Sequence, residues 1–566
     1  MKKINLALMA IILLGFFLRT WKLGSNPPGL YWDEVSLGWN AYSVLKTGSD
    51  EHGRFLPLDT FFAFGDYKPP LYIYAVVPSI WLFGLNEFAV RLPSALAGTG
   101  LIIVTYFLSK EIFFISRASS KLEIGNWKLE IPLLASSLTA VSPWSITLSR
   151  VAFESNLAVL LNASGILFFL HAVYKSPKWL IFSVLSFILA AYTFNANRLL
   201  SPLFLLFLTV IYFRTALNRW KWWLAGAVMG IVLVLPMVGH LNSPEGKLRW
   251  QEVNIFSNLS VIEESNYRRQ VDGNTLTSRI LHHRYIGFAR LFLSHYLDNF
   301  NLKYLFVMGD PNPRISVPDM GEMYLIELPF LVIGLMGLMS PMRLMAVKEK
   351  LVIFLWLFLA AVPAGMARET PHALRSASML PIPQIIVSIG LIRLIRPIGR
   401  IGPAFAKAMA GKQICFLLFA FCFLLFVSLG YFQIIYWRYY PKEWASEWLT
   451  GYKPLTQYLK QHDINASAIY VTPDLGRPYV YFLFYQNYPP DQYILDAKQG
   501  GRIGDAFGFF DVRSFGKYKF YIPDLDTVTG NDLVVTRTDS PPSGFFLEKT
   551  ITDINGRPEF NVIRKQ

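Results

Sequence analysis

Cysteine, charge and nucleotide-binding glycines are all scarce in this chain, and each scarcity removes a class of protein. Two cysteines occur in 566 residues, Cys415 and Cys422, both within one apolar run. Seven apart on one helix, they are most simply lipid- or core-facing thiols. No disulfide frame and no cysteine-based metal site is available. No Walker loop and no Gly-x-Gly-x-x-Gly at a strand–helix junction is present, so ATP and dinucleotides are not indicated. Charged residues make up only 16% of the chain and are sparse within the apolar runs, which argues against an ion or proton path through a bundle. No long internal repeat or low-complexity tract occurs. No small-x-small site closes the apolar run after Met1-Lys2-Lys3, so a retained signal-anchor is expected rather than a cleaved signal.

What is present is apolar. Hydrophobic residues are 53% and aromatics 16%, with a mean hydropathy of +0.36, values of a polytopic membrane protein carrying some water-soluble mass. Runs suited to crossing a bilayer fall at about 4–21, 89–113, 131–148, 155–174, 178–194, 199–214, 222–241, 324–341, 351–367, 374–392 and 412–436. The expected fold is therefore an α-helical polytopic membrane protein of about eleven transmembrane helices. The run from Pro70 to Gly84, about 15 residues, is too short for a span and reads as a re-entrant or interfacial helix in the first outer loop.

The formal net charge of +15 sits mostly in short loops between these runs, which fits the positive-inside bias better than nucleic acid. With Lys2 and Lys3 inside, the inner loops carry Arg117, Lys121 and Lys128, then Lys175 and Lys178, then Arg214, Arg219 and Lys221. They continue with Arg343, Lys348 and Lys350, and with Arg393, Arg396, Arg400, Lys407 and Lys412. The expected placement is a multi-pass protein of the plasma or inner membrane with a cytoplasmic N-terminus. Residues 1–436 form the membrane domain, and 437–566 a small extracytoplasmic α/β domain. In the latter, 468–472, 479–485, 519–522 and 532–536 read as strands, with a helix over Lys453–His462 before them. Asn258-Leu-Ser260 and Asn465-Ala-Ser467 match the N-glycosylation pattern, a common chance match.

The polar residues left outside hug the membrane edge on one face. The central stretch is Gly29-Leu-Tyr-Trp-Asp33-Glu34-Val-Ser-Leu-Gly-Trp-Asn-Ala-Tyr42, two adjacent acids in an aromatic helical segment. Such a segment is suited to lying flat at a membrane surface. The bland reading is a helix N-terminus followed by solvated acids. The functional one gives an Asp that withdraws a proton from an acceptor while the acceptor attacks a sugar C1, with Glu34 adjacent to tune it. Lys68, Arg150, Arg198, Arg314, His372 and Arg375 are outer-face cations from separate stretches, with Tyr67 beside Lys68. Each alone is explained by snorkelling to lipid headgroups; together they suit a phosphate leaving group. Glu154, four residues after Arg150, either pairs with it on one helical face or touches sugar or acceptor. His240, His282, His283 and His295, near Asp298 and Asp310, leave a divalent metal open without any diagnostic ligand spacing.

Tyr31-Trp32-Asp33-Glu34, Tyr67-Lys68-Pro69-Pro70-Leu71-Tyr72 and Asn86-Glu-Phe-Ala-Val-Arg91-Leu-Pro-Ser-Ala resemble the first outer loop of the polytopic C-type (GT-C) glycosyltransferases. The branch is that of protein O-mannosyltransferases and lipid A aminoarabinose transferases. Ser149-Arg150 with Glu154, and Pro371-His372-Ala-Leu-Arg375, also fit. The resemblance covers about residues 1–395. It implies a polyprenyl-phosphate sugar donor, Asp33 as base with Glu34 adjacent, and Lys68, His372 and Arg375 near the lipid phosphate. The acceptor is left as protein, lipid A or envelope glycan. The competing class is a non-catalytic lipid-linked glycan transporter, which predicts polar residues along a path through the helices. An envelope-assembly scaffold is the third, and it predicts that Asp33 is dispensable.

Overall fold

The computed structural model describes residues 6–64, 66–114, 121–124, 127–243, 246–247, 254–340, 345–398, 404–462, 466–504, 510–538 and 540–566. Lys2, Lys3, Arg117, Arg343, Arg400 and Asn465 lie outside the described residues, as do the side chains of Lys121, Lys128, Arg396, Lys407, Lys412 and Cys415. The chain forms two compact units. One comprises residues 1–19, 96–149 and 154–433; the other comprises 20–95, 150–153 and 434–566.

The first unit is all helix apart from one short hairpin (Lys121–Ile124 with Trp127–Glu130). Helix Glu154–Tyr174 packs on Trp179–Ala191, which in turn meets Trp220–Asn242 and Asn197–Ile211. Leu328–Met339 lies along Ile382–Ile398. Two glycines allow that approach: a Cβ on Gly334 would meet the Ile386 carbonyl oxygen, and one on Gly390 would meet that of Phe330. Trp220–Asn242 turns Leu224, Val228, Ile231, Val232 and Leu235 outward, a contiguous apolar face that suits lipid.

By length and composition, four helices among the described residues suffice to cross a bilayer: Glu87–Phe113, Glu154–Tyr174, Trp220–Asn242 and Phe416–Glu443. Two bent pairs, Ile131–Val141 with Pro143–Ser149 and Ala373–Met379 with Ile382–Leu394, raise the number to six. Leu6–Thr20, Pro70–Phe83, Trp179–Ala191, Asn197–Ile211 and Leu325–Met339 are apolar but shorter. Bends and breaks thus interrupt several runs that look continuous in the sequence.

The bend at Ser142 has a clear cause. Pro143 has no N–H to donate to the Thr139 carbonyl, and the Trp144 N–H is turned to the Glu322 carbonyl instead of that of Ala140. Two helix carbonyls are left open, and Arg19 fills both. Its Nη2 donates to Thr139 O at 3.0 Å and to Ser145 Oγ at 2.7 Å, and its Nη1 to Ala140 O at 2.9 Å. Arg19 is completely buried near the end of the first helix, Leu6–Thr20.

In the second unit, helix Trp32–Thr47 is central. Ten of its residues are buried, and it packs on Pro70–Phe83, Pro478–Tyr485 and Pro490–Gly500. It is therefore a core helix and not one lying flat with a lipid-facing side. Its small polar residues Ser36, Asn40 and Ser43 are buried too, so close neighbours cover the face that the sequence pattern left polar. The C-terminal part carries a six-stranded sheet whose neighbours run Phe545–Thr552, Pro558–Lys565, Leu533–Thr536, Ile469–Val471, Tyr518–Lys519, Ser514–Phe515. Ile469–Val471 is parallel to both its neighbours, and the other pairs are antiparallel.

Residues 479–485 are a helix, Pro478–Tyr485, and not a strand. Pro478 at its first turn presets helical φ, and seven of its eight residues are buried. A run buried on all sides has no periodicity from which to read its structure. The helix Tyr452–His462 and the strands Ile469–Val471 and Leu533–Thr536 lie where the pattern puts them, whereas the strand expected at 519–522 is only Tyr518–Lys519 and shares one residue with it.

Arg19→Met is expected to lower stability by about 2–4 kcal/mol by leaving two buried carbonyls without donors. Thermal unfolding of the purified protein in detergent measures this, and an unchanged Tm would refute the capping role.

Candidate functional site

The second unit holds Asp33, Glu34, Tyr67, Lys68 and Arg150; the first holds Glu154, Arg198, Arg314, His372 and Arg375. Each group is described within its own unit.

Asp33 and Glu34 occupy the first turn of helix Trp32–Thr47, where the helix dipole favours negative charge. They part immediately. Glu34 is wholly buried: its Oε1 takes Arg91 Nε at 2.8 Å and the Ala152 N–H at 2.8 Å, and its Oε2 takes Arg91 Nη2 at 2.9 Å and the Tyr31 N–H at 3.3 Å. Arg91, also fully buried, spends its other donors on the carbonyls of Leu23, Pro27 and Gly29, with its guanidinium 5.6 Å from the Trp448 ring centre. Glu34, expected to work beside Asp33, thus has its oxygens filled by the fold. Its chemistry is that of an anchor for residues 23–34.

Asp33 keeps 28% of its side chain exposed, and its Oδ1 accepts from Lys68 Nζ at 2.7 Å. Lys68 is 7% exposed and also reaches Asp66 Oδ2 at 3.1 Å. The hairpin that carries it pairs Phe61 with Lys68, Phe62 with Tyr67 and Ala63 with Asp66. Alternation along the strand puts Asp66 and Lys68 on one face and Tyr67 on the other, where the Tyr67 ring stands edge-on to Phe62 at 5.0 Å. Tyr67 is therefore not brought to the Asp33–Lys68 pair. Pro69 and Pro70 follow, Pro70 opening helix Pro70–Phe83, and they stiffen the chain after Lys68.

Arg150 is buried as well. Its Nε donates to Tyr436 Oη at 3.1 Å and its Nη2 to the carbonyls of Trp21 at 2.9 Å and Asn26 at 2.9 Å, with the Trp437 ring centre 4.8 Å away. Such a guanidinium ties chain segments together and has little left to offer a phosphate. It also lies in the break between helices Pro143–Ser149 and Glu154–Tyr174. No helix runs through both Arg150 and Glu154, so the two do not share a helical face.

In the first unit, Asp310 organises a second polar group. Its Oδ2 accepts the Ala373 N–H at 2.7 Å and its Oδ1 the Asn312 N–H at 2.8 Å. Its own N–H reaches Glu322 Oε1 at 3.3 Å. Burial pushes the Asp310 carboxyl up to about 6, although the two N–H groups pull it down. Burial and the nearby Asp310 push Glu322 far above the carboxylate range. His372 goes the other way: burial and the Arg375 charge hold its imidazole neutral. Its Nδ1 is buried without a hydrogen-bond partner. Asp310, Asn312, Arg368, Glu369 and His372 line an open cleft of about 340 Å³. Arg314 is half-buried, its Nε on Asn312 Oδ1 at 3.3 Å. Glu154 is half-buried at a helix start, as is Arg198 in the first turn of Asn197–Ile211, and Arg375 is half-buried in the short helix Ala373–Ser376.

Among the described residues no three His, Cys, Asp or Glu side chains gather as metal ligands do. His282 pairs with Asp272 at 2.6 Å, and His295 Nδ1 meets the Ala367 carbonyl at 2.8 Å. Sequence reasoning gave no role to Arg91, Asp66, Glu51 or Glu322. For Arg91 a signal existed: an arginine inside an apolar helix needs a buried partner.

Glu51 is a further buried acid of the second unit. Asn40 Nδ2 at 2.9 Å and Tyr479 Oη at 3.1 Å donate to it. Burial nevertheless pushes its carboxyl up to about 7.

This architecture is that of a polytopic membrane protein with the GT-C glycosyltransferase fold. The chain is similar over 99% of its length to 97% of ArnT from Cupriavidus metallidurans in the apo state, with 14% identity and a TM-score of 0.52. Against the same protein bound to undecaprenyl phosphate the coverage and identity are the same and the TM-score is 0.51. The archaeal oligosaccharyltransferase AglB from Archaeoglobus fulgidus, in complex with an inhibitory peptide and a dolichol-phosphate, matches 85% of this chain and 63% of its own at 12% identity and a TM-score of 0.46. No family model and no curated protein sequence matches the chain.

Arg91→Leu leaves Glu34 charged and buried, and is expected to cost about 3–5 kcal/mol; equal stability to wild type in detergent would refute the anchor. Glu51 keeps its proton in the folded state up to about pH 7, whereas an ordinary glutamate releases it near 4.5. Its contribution to stability therefore falls as pH rises between those values, by about 3 kcal/mol in all. Unfolding measured from pH 5 to pH 8 should show that decline in the wild type and a flatter profile in Glu51→Gln.

Proposed function

We propose that this protein is a membrane glycosyltransferase that moves a sugar from a polyprenyl-phosphate donor to an acceptor at the outer face of the membrane, with Asp33 as base. The observation that carries the reading is the Asp33–Lys68–Asp66 cluster: two carboxylates and one lysine, partly open, with Asp33 on the segment that Glu34 and Arg91 tie down and the other two on the Phe61–Lys68 hairpin. Its support from comparison is the shared fold with ArnT, which binds undecaprenyl phosphate.

Lysine in this cluster faces two acids, so it is over-compensated in the free protein. A donor phosphate brings its own negative charge and competes for Lys68 as a point-charge partner. Once Lys68 turns to the phosphate, Asp33 loses its hydrogen-bond donor and its Oδ1 is open to an acceptor proton. The acceptor then attacks the sugar C1, the bond from C1 to the phosphate oxygen breaks, and Lys68 stabilises the charge that gathers on the departing lipid phosphate. The acceptor proton ends on Asp33. Within the first unit, His372, being neutral, offers a hydrogen bond and not a counter-charge. Arg150 and Glu34 serve the frame.

The shorter helices Leu6–Thr20, Trp179–Ala191, Asn197–Ile211, Leu325–Met339 and Val347–Ala360, and not Pro70–Phe83, complete about eleven spans in this reading, with the N-terminus cytoplasmic and 437–566 as an extracytoplasmic domain. The acceptor class is protein, lipid A or envelope glycan.

Membranes carrying matched amounts of wild type, Asp33→Asn or Lys68→Ala, supplied with a panel of labelled polyprenyl-phosphate sugars, test the proposal. Transfer is expected in the wild type, with a loss of about 100-fold or more for Asp33→Asn and of about 10- to 100-fold for Lys68→Ala. Equal transfer by wild type and Asp33→Asn would remove Asp33 from the mechanism. No transfer from any donor by the folded wild type would overturn the enzyme reading.

A further inference from the structure

The position of Lys68 is not set by its own hairpin. Strands of three residues, Phe61–Ala63 and Asp66–Lys68, are far too short to hold a shape alone. The chain at Phe64 moreover sits at φ +41°, a conformation that a phenylalanine adopts only when neighbours hold it there.

Those neighbours come from residues 477–479, more than 400 positions along the chain in the same unit. The Phe64 N–H donates to Tyr479 Oη at 3.1 Å, and its carbonyl accepts from Arg477 Nη1 at 3.1 Å. Both backbone polar groups at the strained residue are thus satisfied by two side chains separated by one proline. The ring is held as well: the Arg477 guanidinium lies 4.4 Å from its centre and Lys68 Nζ 5.3 Å. Phe64 is therefore in contact at once with the C-terminal part and with the lysine that pairs to Asp33. Tyr479 Oη in turn donates a hydrogen bond to Glu51 Oε1. Glu51 is bound by Asn40, whose side chain both donates to its carboxylate and accepts its N–H. Asn40 stands seven residues after Asp33 on helix Trp32–Thr47. The tip of the hairpin is thus tied to Arg477 and Tyr479, and the helix bearing Asp33 is tied to Tyr479 through Glu51 and Asn40.

We propose that Arg477 and Tyr479 are positioning residues: they pin the hairpin at Phe64 and so fix where Lys68 Nζ meets Asp33. This gives residues 437–566 a part in the reaction centre and rests on the glycosyltransferase reading only for its effect on turnover. Neither residue touches the reacting atoms. Arg477 acts through Phe64 on Lys68, and Tyr479 acts through Phe64 and Glu51 on the two sides of the pair.

Two measurements on the full-length protein in detergent test this. The first needs no substrate. Acetic anhydride acetylates lysine amines, and the reaction at Lys68 is followed by peptide mass spectrometry against exposed Lys549. A lysine held by two carboxylates and a ring reacts slowly. In Arg477→Ala its relative rate should rise by about threefold or more, toward that of Asp33→Asn, and Arg477→Lys should fall between, because it keeps the cation but not the guanidinium fork. Tyr479→Phe should raise it too, and where that variant is too unstable to purify, the Arg477 pair decides. An unchanged Lys68 rate in folded Arg477→Ala would overturn the proposal.

The second is a double-mutant cycle on sugar transfer. Arg477→Ala is expected to lower kcat by about tenfold with Tm little changed, and to add nothing once Lys68→Ala is present. Losses that multiply would mean that Arg477 acts elsewhere, and would overturn the proposal even if the chain is a transferase. Absence of transfer in the wild type would strike the glycosyltransferase reading alone, since the acetylation result judges the pin by itself.

Discussion

The ion pair of Glu34 with Arg91 is the interaction on which the proposed site depends. Two charges removed from water are tolerated only where each lone pair and each N–H finds a partner, and here they do. Glu34 fills both oxygens twice over, and Arg91 turns its remaining donors on three carbonyls of residues 23–29. The Leu23–Gly29 turn, the start of helix Trp32–Thr47 and residue 152 are thereby fixed to one guanidinium. Only because Glu34 is immobile can the next residue toward the N-terminus hold a defined position while remaining partly open. The adjacent acids divide the work: the buried one fixes the frame, and the open one is left for chemistry.

Buried arginine is used three times in the same way. Arg19, Arg91 and Arg150 are all fully buried, and each directs its planar fork at backbone carbonyls where a proline or a helix end has left acceptors unfilled. A lysine, with one compact ammonium, does not bridge such scattered acceptors. Lys68, by contrast, has carboxylates as partners, which a competing phosphate can replace. Arginine for the frame and lysine for the exchangeable contact is a division that follows from donor geometry.

The helical membrane architecture was legible because long apolar runs separated by basic loops leave few alternatives. Asp33 and Lys68, an acid and a stiffened lysine left outside those runs, are brought together in the fold, a pairing that the sequence does not announce. What was not legible depended on partners far off in sequence. Glu34 and Asp33 look alike on the page; Arg91, 57 residues on, makes them different. Arg150 reads as a phosphate ligand until its carbonyl partners are seen. The helix Pro478–Tyr485 reads as a strand because burial on all sides erases the alternation that separates the two. The helix Trp32–Thr47 reads as interfacial because its polar face is covered by segments that no local pattern announces.

The two polar groups differ in how they handle charge, and that difference bears on what each can bind. Around Lys68 the charges are kept and matched, acid against amine, so a charged ligand enters by exchange of partners. Around Asp310 burial works against charge: Glu322 is driven to its protonated form, Asp310 toward it, and His372 to its neutral form. The cleft thus sets a neutral imidazole and the Asn312 amide beside the charged side chains of Arg368 and Glu369. A phosphate placed there would have only the guanidinium groups to meet it. Within the proposed reaction, then, the lysine cluster hosts the lipid phosphate, because its carboxylate partners can be exchanged for the phosphate oxygens.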